Sequence, residues 1–209
     1  MKEYLTVFTE NEAEYVEKRS RFIATLSHCE NEQEATAFLE KMRSKYWDAR
    51  HNCFAYSVEK GALCRFSDDG EPHGTAGKPM LDVIAGSGIT NIAVVVTRYF
   101  GGVLLGTGGL VRAYSKSVQD VLASAEVFKM VPSVILTVNC DYTSHGKLVN
   151  LITNEGGNII NTDFTDTVTV EFCLLEKELD AFSKKLTETF SARLNFEIIE
   201  KKLMPFKEK

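Results

Sequence analysis

Asp69, Glu71 and His73 stand close together in the segment SDDGEPHGTAGKP, with Asp68 beside them. Carboxylates and an imidazole at that spacing have the chemistry for general acid and base work or for holding a divalent cation. Gly70 and Pro72 interrupt the cluster, and Asp with Gly and Pro is equally the composition of a turn whose carboxylates cap backbone amides. Turn-making is what the composition supports; if the chain is an enzyme, Asp69, Glu71 and His73 are its catalytic set.

A second constellation lies between Tyr99 and Arg112, where the chain reads YFGGVLLGTGGLVR. It follows the apolar run Ile92 to Val96 and precedes a helix-patterned stretch, so it reads as strand, glycine-rich loop and helix start. Bare backbone N–H groups and the positive end of a helix dipole suit a phosphate or carboxylate. No acidic residue occurs between Asp82 and Asp120, whereas Arg98, Arg112 and Lys116 do. The expected phosphate or nucleic-acid contacts are therefore Arg98, Gly106, Thr107, Gly108, Gly109, Arg112 and Lys116, with Arg50 and Lys78 extending a positive rim. The alternative is that these glycines serve tight turning and close helix packing. Neither nucleotide fingerprint is present: no GxxxxGK with a following Ser or Thr, and no GxGxxG in a βαβ setting. No cofactor and no metal site is expected. His51 and Cys53 share one strand face, but a Cys beside Phe54 and Ala55 reads as a small buried residue.

The elements that must position these groups follow from pattern. Residues 14–18 and 21–29 read as two strands in a hairpin or bent strand. In NEQEATAFLEKMRSKY, Ala35, Phe38, Leu39, Met42 and Tyr46 recur at helical spacing, with Asn31 as N-cap and Glu34 placed as in a capping box. Residues 51–58 and 62–67 read as strands around Lys60 and Gly61. Pro79 is expected to open a short helix ending at Gly86. Ile92 to Thr97 lacks alternation, which places it centrally or buried on both faces. From Thr107 onward, Leu110, Val111, Tyr114, Val118, Val121, Leu122 and Ala125 form one apolar helix face. A boundary is expected near Lys129 to Ser133, with Pro132 before a new strand, dividing the chain into domains 1–130 and 131–209. The second domain reads β-α-β-β-α-β, the ferredoxin-like order. The fold class is thus α+β in two domains.

Composition bounds the function. The chain has 209 residues, 44% of them apolar, and a net charge of −5. The charge is uneven: residues 1–40 carry −5, residues 41–116 carry +4 and residues 117–209 carry −4. A central basic segment is compatible with a confined phosphate contact rather than indiscriminate nucleic-acid binding. The opening residues are acidic, without a secretory pattern, and no stretch approaches the roughly 20 apolar residues of a membrane span. The five cysteines are scattered without a CxxC pair, which points to a reducing cytoplasm.

Four segments, KRSRFIA at 18–24, ARHNCFAY at 49–56, SDDGEPHGTAGKPML at 67–81 and VVVTRYFGGVLLGTGGLVRAY at 94–114, resemble the IMPACT family, and residues 131–209 resemble the small ferredoxin-like domain of its bacterial members. The resemblance implies an N-terminal α/β sandwich like the second domain of a small-subunit ribosomal protein. It also implies a link to translation, since eukaryotic relatives bind a regulator of an initiation-factor kinase. The leading expectation is a non-enzymatic protein that contacts RNA or the ribosome. The alternatives are an enzyme acting on a small phosphorylated or nucleotide-like substrate and a protein-binding regulatory module.

Overall fold

The structure, a computed structural model, describes residues 1–207. Its elements run β1 (Tyr4–Val7), β2 (Asn11–Glu17), β3 (Ser20–His28), α1 (Glu32–Lys45), β4 (His51–Val58), β5 (Leu63–Ser67), α2 (Gly77–Ser87), β6 (Ile92–Tyr99) and α3 (Thr107–Ser124). They continue β7 (Val127–Cys140), α4 (Tyr142–Asn154), β8 (Asn158–Phe164), β9 (Val168–Leu175), α5 (Leu179–Phe190) and β10 (Phe196–Lys207). The chain divides into two compact units, residues 4–129 with Lys207, and residues 1–3 with 130–206. It is an α+β protein.

The first unit is built on an antiparallel sheet in the order β2-β3-β6-β4-β5. β6 is the middle strand, which explains its unbroken apolar run. Ile92, Val94 and Val96 face a core shared with Met80 and Ile84 of α2 and with Leu110, Tyr114 and Val118 of α3. Ala93 and Val95 face the opposite core with Phe38 and Met42 of α1. A strand wedged between two helical layers needs an apolar residue at every position. Helix α1 begins where the capping pattern placed it: Asn31 Oδ1 accepts the Glu34 N–H at 2.9 Å, and Glu34 Oε2 accepts the Glu30 N–H at 2.8 Å.

Helix α2 starts at Gly77, two residues before Pro79, and ends at the left-handed Gly88 rather than Gly86. The earlier start is set by Asp68, whose Oδ1 takes the N–H groups of Ala76 and Gly77. Pro79 then occupies a first-turn position, where its missing N–H has no intrahelical partner to lose. Strand β1, which no sequence pattern anticipates, is joined by the Thr90 N–H to the Leu5 carbonyl at 2.9 Å.

In the second unit β7-α4-β8-β9-α5-β10 reproduces the expected element order. β7 pairs with both β9 and β10, and β8 lies outside β9, giving the order β10-β7-β9-β8. Val134, Leu136 and Val138 share a core with Val170, Phe172, Phe182 and Leu186. β7 opens at Val127 and runs through Pro132, so the proline lies inside the strand instead of preceding it.

Candidate phosphate site at the start of α3

Helix α3 opens at Gly106, whose φ of 72° and ψ of 166° belong to a region open essentially to glycine alone. Gly106 has no side chain to cap the helix, and the first turn holds no acidic residue. The amides at that end have no acceptor within the helix. Arg112 is exposed and makes no salt bridge among the described residues. It folds back toward the first turn, for a Cβ on Gly108 would stand 3.7 Å from its Nη1. A guanidinium with no salt bridge among the described residues and uncapped amides therefore share one helix end.

Two further cations, missed in the sequence as site residues, lie on a hairpin tip that meets the glycine loop leading to this end. The β2–β3 hairpin turns on Lys18 (φ 47°) and Arg19 (φ 67°), with Glu17 paired to Ser20. A two-residue hairpin turn with left-handed φ at both positions matches the twist of its strands. Ser20 Oγ accepts the Gly101 N–H at 3.1 Å, so the exposed hairpin tip lies against the glycine loop. The signal was available as KRS between two strand patterns, but the loop it meets lies some eighty residues on.

Beneath this surface, β2 and α3 enclose a cavity of about 280 Å³ lined by Tyr15, Glu17, Gly109, Arg112, Ala113 and Lys116. Two larger depressions, about 590 and 660 Å³, lie around Glu126 and Lys207 and between α2 and α3; neither gathers more than one cation. Of the other rim residues, Lys116 is paired with Asp120 at 2.6 Å, Lys78 with Asp82, and Arg50 is exposed.

Arg98 is placed otherwise than expected. It continues the inward stripe Ile92, Val94, Val96, and only 7% of its surface is exposed. Its Nη1 donates to Glu71 Oε1 at 2.6 Å, and the same oxygen accepts the Tyr114 hydroxyl at 2.8 Å. Its guanidinium lies over the Phe22 and Phe100 rings. Arg98 is therefore an interior partner of the acidic loop and not a surface contact for an external anion.

The acidic loop is a turn-making device. Asp68 accepts N–H groups from Gly74, Ala76 and Gly77 at 2.8, 3.0 and 2.8 Å. Asp69 Oδ2 accepts the Asn52 N–H at 2.7 Å, and the Asp69 carbonyl lies 2.9 Å from His51 Nδ1. His73 is fully exposed. Asp69, Glu71 and His73 thus point to three different environments rather than to one reacting centre, and no group of metal-ligating residues forms among the described residues. Cys53 donates to the Asp68 carbonyl and lies 3.3 Å from the Tyr114 hydroxyl; burial pushes its thiol pKa far up, which disfavours the nucleophilic thiolate.

Burial alone would raise the Asp68 carboxyl pKa, but the Gly74, Gly77 and Ala76 amides outweigh it and hold the value below the ordinary aspartate range. A depressed carboxyl contributes stability that is fully present above the unfolded pKa of about 3.9 and lost as pH falls through the folded value. Asp68→Asn is expected to destabilise the protein at neutral pH, with the gap to wild type closing on acidification below about pH 4. Urea titrations of both proteins across that range check this; a gap independent of pH would refute it.

The class defined by these features is a two-unit α+β protein with an open, cationic helix start and no converged catalytic set among the described residues. The family described as "Impact N-terminal domain" matches residues 18–122, and a "Domain of unknown function" family matches residues 138–193. The chain is 41% identical over 186 residues to IMPACT family member YvyE of Bacillus subtilis, covering 88% of this chain and 86% of that protein. It is 40% identical over 186 residues to IMPACT family member YigZ of Escherichia coli, covering 88% and 91%. A crystal structure described as that of a hypothetical protein superposes with a TM-score of 0.62 at 37% identity, over 96% of this chain and 98% of the other. The chain belongs to the IMPACT family. No helix among the described residues is long and apolar enough to cross a membrane, and the five cysteines are free thiols.

Proposed function

We propose that this protein is a non-enzymatic, cytoplasmic RNA- or ribosome-binding protein linked to translation, gripping phosphate at the start of α3. The observation that carries the reading is the uncapped Gly106 end of α3 with the unpaired Arg112 folded beside it. Gly106, Thr107, Gly108 and Gly109 offer amides, Arg112 and Lys116 offer charge, and Lys18, Arg19 and Arg50 broaden the basic rim. Exposed Phe100 in the same loop offers a ring on which a base can stack, and exposed Leu104 adds apolar surface. The strand order β10-β7-β9-β8 with helices between supports a ferredoxin-like second domain. The helix-flanked first sheet is compatible with the ribosomal-protein-like sandwich. The enzyme alternative is weakened by the dispersal of Asp69, Glu71 and His73.

Co-sedimentation with ribosomes at low and high salt tests this. Wild type is expected to associate in a salt-sensitive manner. Arg112→Ala/Lys116→Ala is expected to bind at least about tenfold more weakly, with the log–log salt slope reduced by about 1 for each phosphate no longer neutralised. Association unchanged in the double variant would move the binding surface elsewhere. Arg98 is unsuitable for this test because its replacement disturbs the interior.

A further inference from the structure

We infer that the cavity between β2 and α3 reads the ribose of a bound strand, making the site selective for RNA over DNA; this rests on the phosphate-gripping function proposed above. The cavity has two chemically opposite walls. On α3, Arg112 and Lys116 are four residues apart, so both project from one helix face. Gly109 and Ala113, also four apart, leave the floor between them low. On β2, the alternation of the strand turns Ala13, Tyr15 and Glu17 toward α3, while Glu12, Glu14 and Val16 lie on the other face, where Glu12 accepts from Lys45 and Tyr46 and Glu14 from Arg21. The final inward position brings a carboxylate into an otherwise cationic pocket.

That carboxylate is held in place. The Tyr15 hydroxyl donates to Glu17 Oε2 at 2.9 Å, which leaves Oε1 without a partner among the described residues. A carboxylate is a poor neighbour for a phosphodiester; here it stands in one cavity with Arg112 and Lys116, which it complements in the free protein. With a phosphate bound, it is matched if a hydroxyl of the same nucleotide donates to it. The ribose 2′-hydroxyl is such a donor and is the group by which proteins distinguish RNA from DNA. Carboxylates recognise ribose hydroxyls in the same manner in dinucleotide sites. Deoxyribose offers nothing there and leaves Glu17 facing a phosphate uncompensated.

The size agrees. About 280 Å³ is just below the range of roughly 300–1,000 Å³ of pockets that enclose whole ligands. A cavity of that size suits a fragment such as one sugar–phosphate unit, with the base left outside. The exposed Phe100 and Leu104 lie in the loop leading into the same helix. The assignment is therefore phosphate to Arg112, Lys116 and the helix amides, and 2′-hydroxyl to Glu17, oriented by Tyr15.

The test is fluorescence anisotropy with oligouridine and oligodeoxyuridine of equal length, using the full chain at one fixed salt concentration. Wild type is expected to prefer the RNA by about tenfold. Glu17→Ala should abolish the preference by weakening RNA while leaving DNA unchanged or tighter. Tyr15→Phe, which frees Glu17 without removing it, should reduce the preference and leave DNA unaffected. Arg112→Ala should weaken both. Equal binding of RNA and DNA by wild type, with both abolished in Arg112→Ala, overturns the ribose assignment while the phosphate grip stands. A preference that persists in Glu17→Ala also overturns it. Absence of binding to either strand overturns the function on which the assignment rests.

Discussion

Glu71→Gln is expected to destabilise the first unit by about 3–5 kcal/mol, the cost of leaving a buried ion without its counter-charge. The shape of the side chain is preserved, so the loss reports charge rather than packing. The Glu71 and Arg98 side chains are 3% and 8% exposed, and Glu71 Oε1 serves both the guanidinium and the Tyr114 hydroxyl. Arg98 Nε already lacks a partner, so the guanidinium has no spare acceptor to fall back on. The pair ties the 68–76 loop to β6 and, through Tyr114, to α3. Glu71→Leu/Arg98→Met should be less damaging than either single change, because removing both charges also removes their desolvation. Urea unfolding of the three variants checks this; a Glu71→Gln cost below about 1 kcal/mol would mean the pair is solvated.

Gly101→Ala carries the second large effect. A Cβ at this position would stand 2.0 Å from the Arg19 carbonyl carbon and 2.3 Å from both its oxygen and the Ser20 nitrogen. These are backbone atoms of a two-residue turn and cannot step aside as a side chain does, so the hairpin tip must move away from the glycine loop. The cost should reach or exceed the upper end of the roughly 1–3 kcal/mol seen for overpacking. Gly102 supplies the control: its φ of 82° is left-handed, yet a Cβ there meets nothing within 4 Å. Gly102→Ala should therefore cost only the conformational strain, about 1–2 kcal/mol. Thermal unfolding should rank Gly101→Ala as the more damaging; the reverse order would mean that the hairpin tip and the loop do not press together.

The legible parts of this fold were those decided locally. The Asn31–Glu34 cap, the two-sided β6 and the apolar face of α3 are each set by residues a few positions apart, and each formed where its pattern lay, except that Val111 lines the depression between α2 and α3 instead of joining the core. The Arg98 side chain was legible too, since it extends the inward run Ile92, Val94, Val96 by one more alternate position. Its charge argued for the surface, while its register placed it in the core. What could not be read depends on closure of distant segments. Asp68 reaches amides six to nine residues onward, Glu71 finds Arg98 across 27 residues, and the hairpin tip meets a loop 81 residues away. Tyr15 and Glu17 escaped notice because the significance of their shared face requires knowing that α3 covers it.

The strand order also separates the Arg98–Glu71 tie from the proposed site by how easily each can open. β6, the middle strand, is hydrogen-bonded on both sides, so its amides exchange with solvent only when the whole unit comes apart. The Arg98–Glu71 tie is fastened to that most protected strand. β2, which carries Tyr15 and Glu17, is an outer strand with a neighbour on one side only. On the proposed reading, a nucleotide entering under α3 would have to displace only this outer strand, leaving the interior closed.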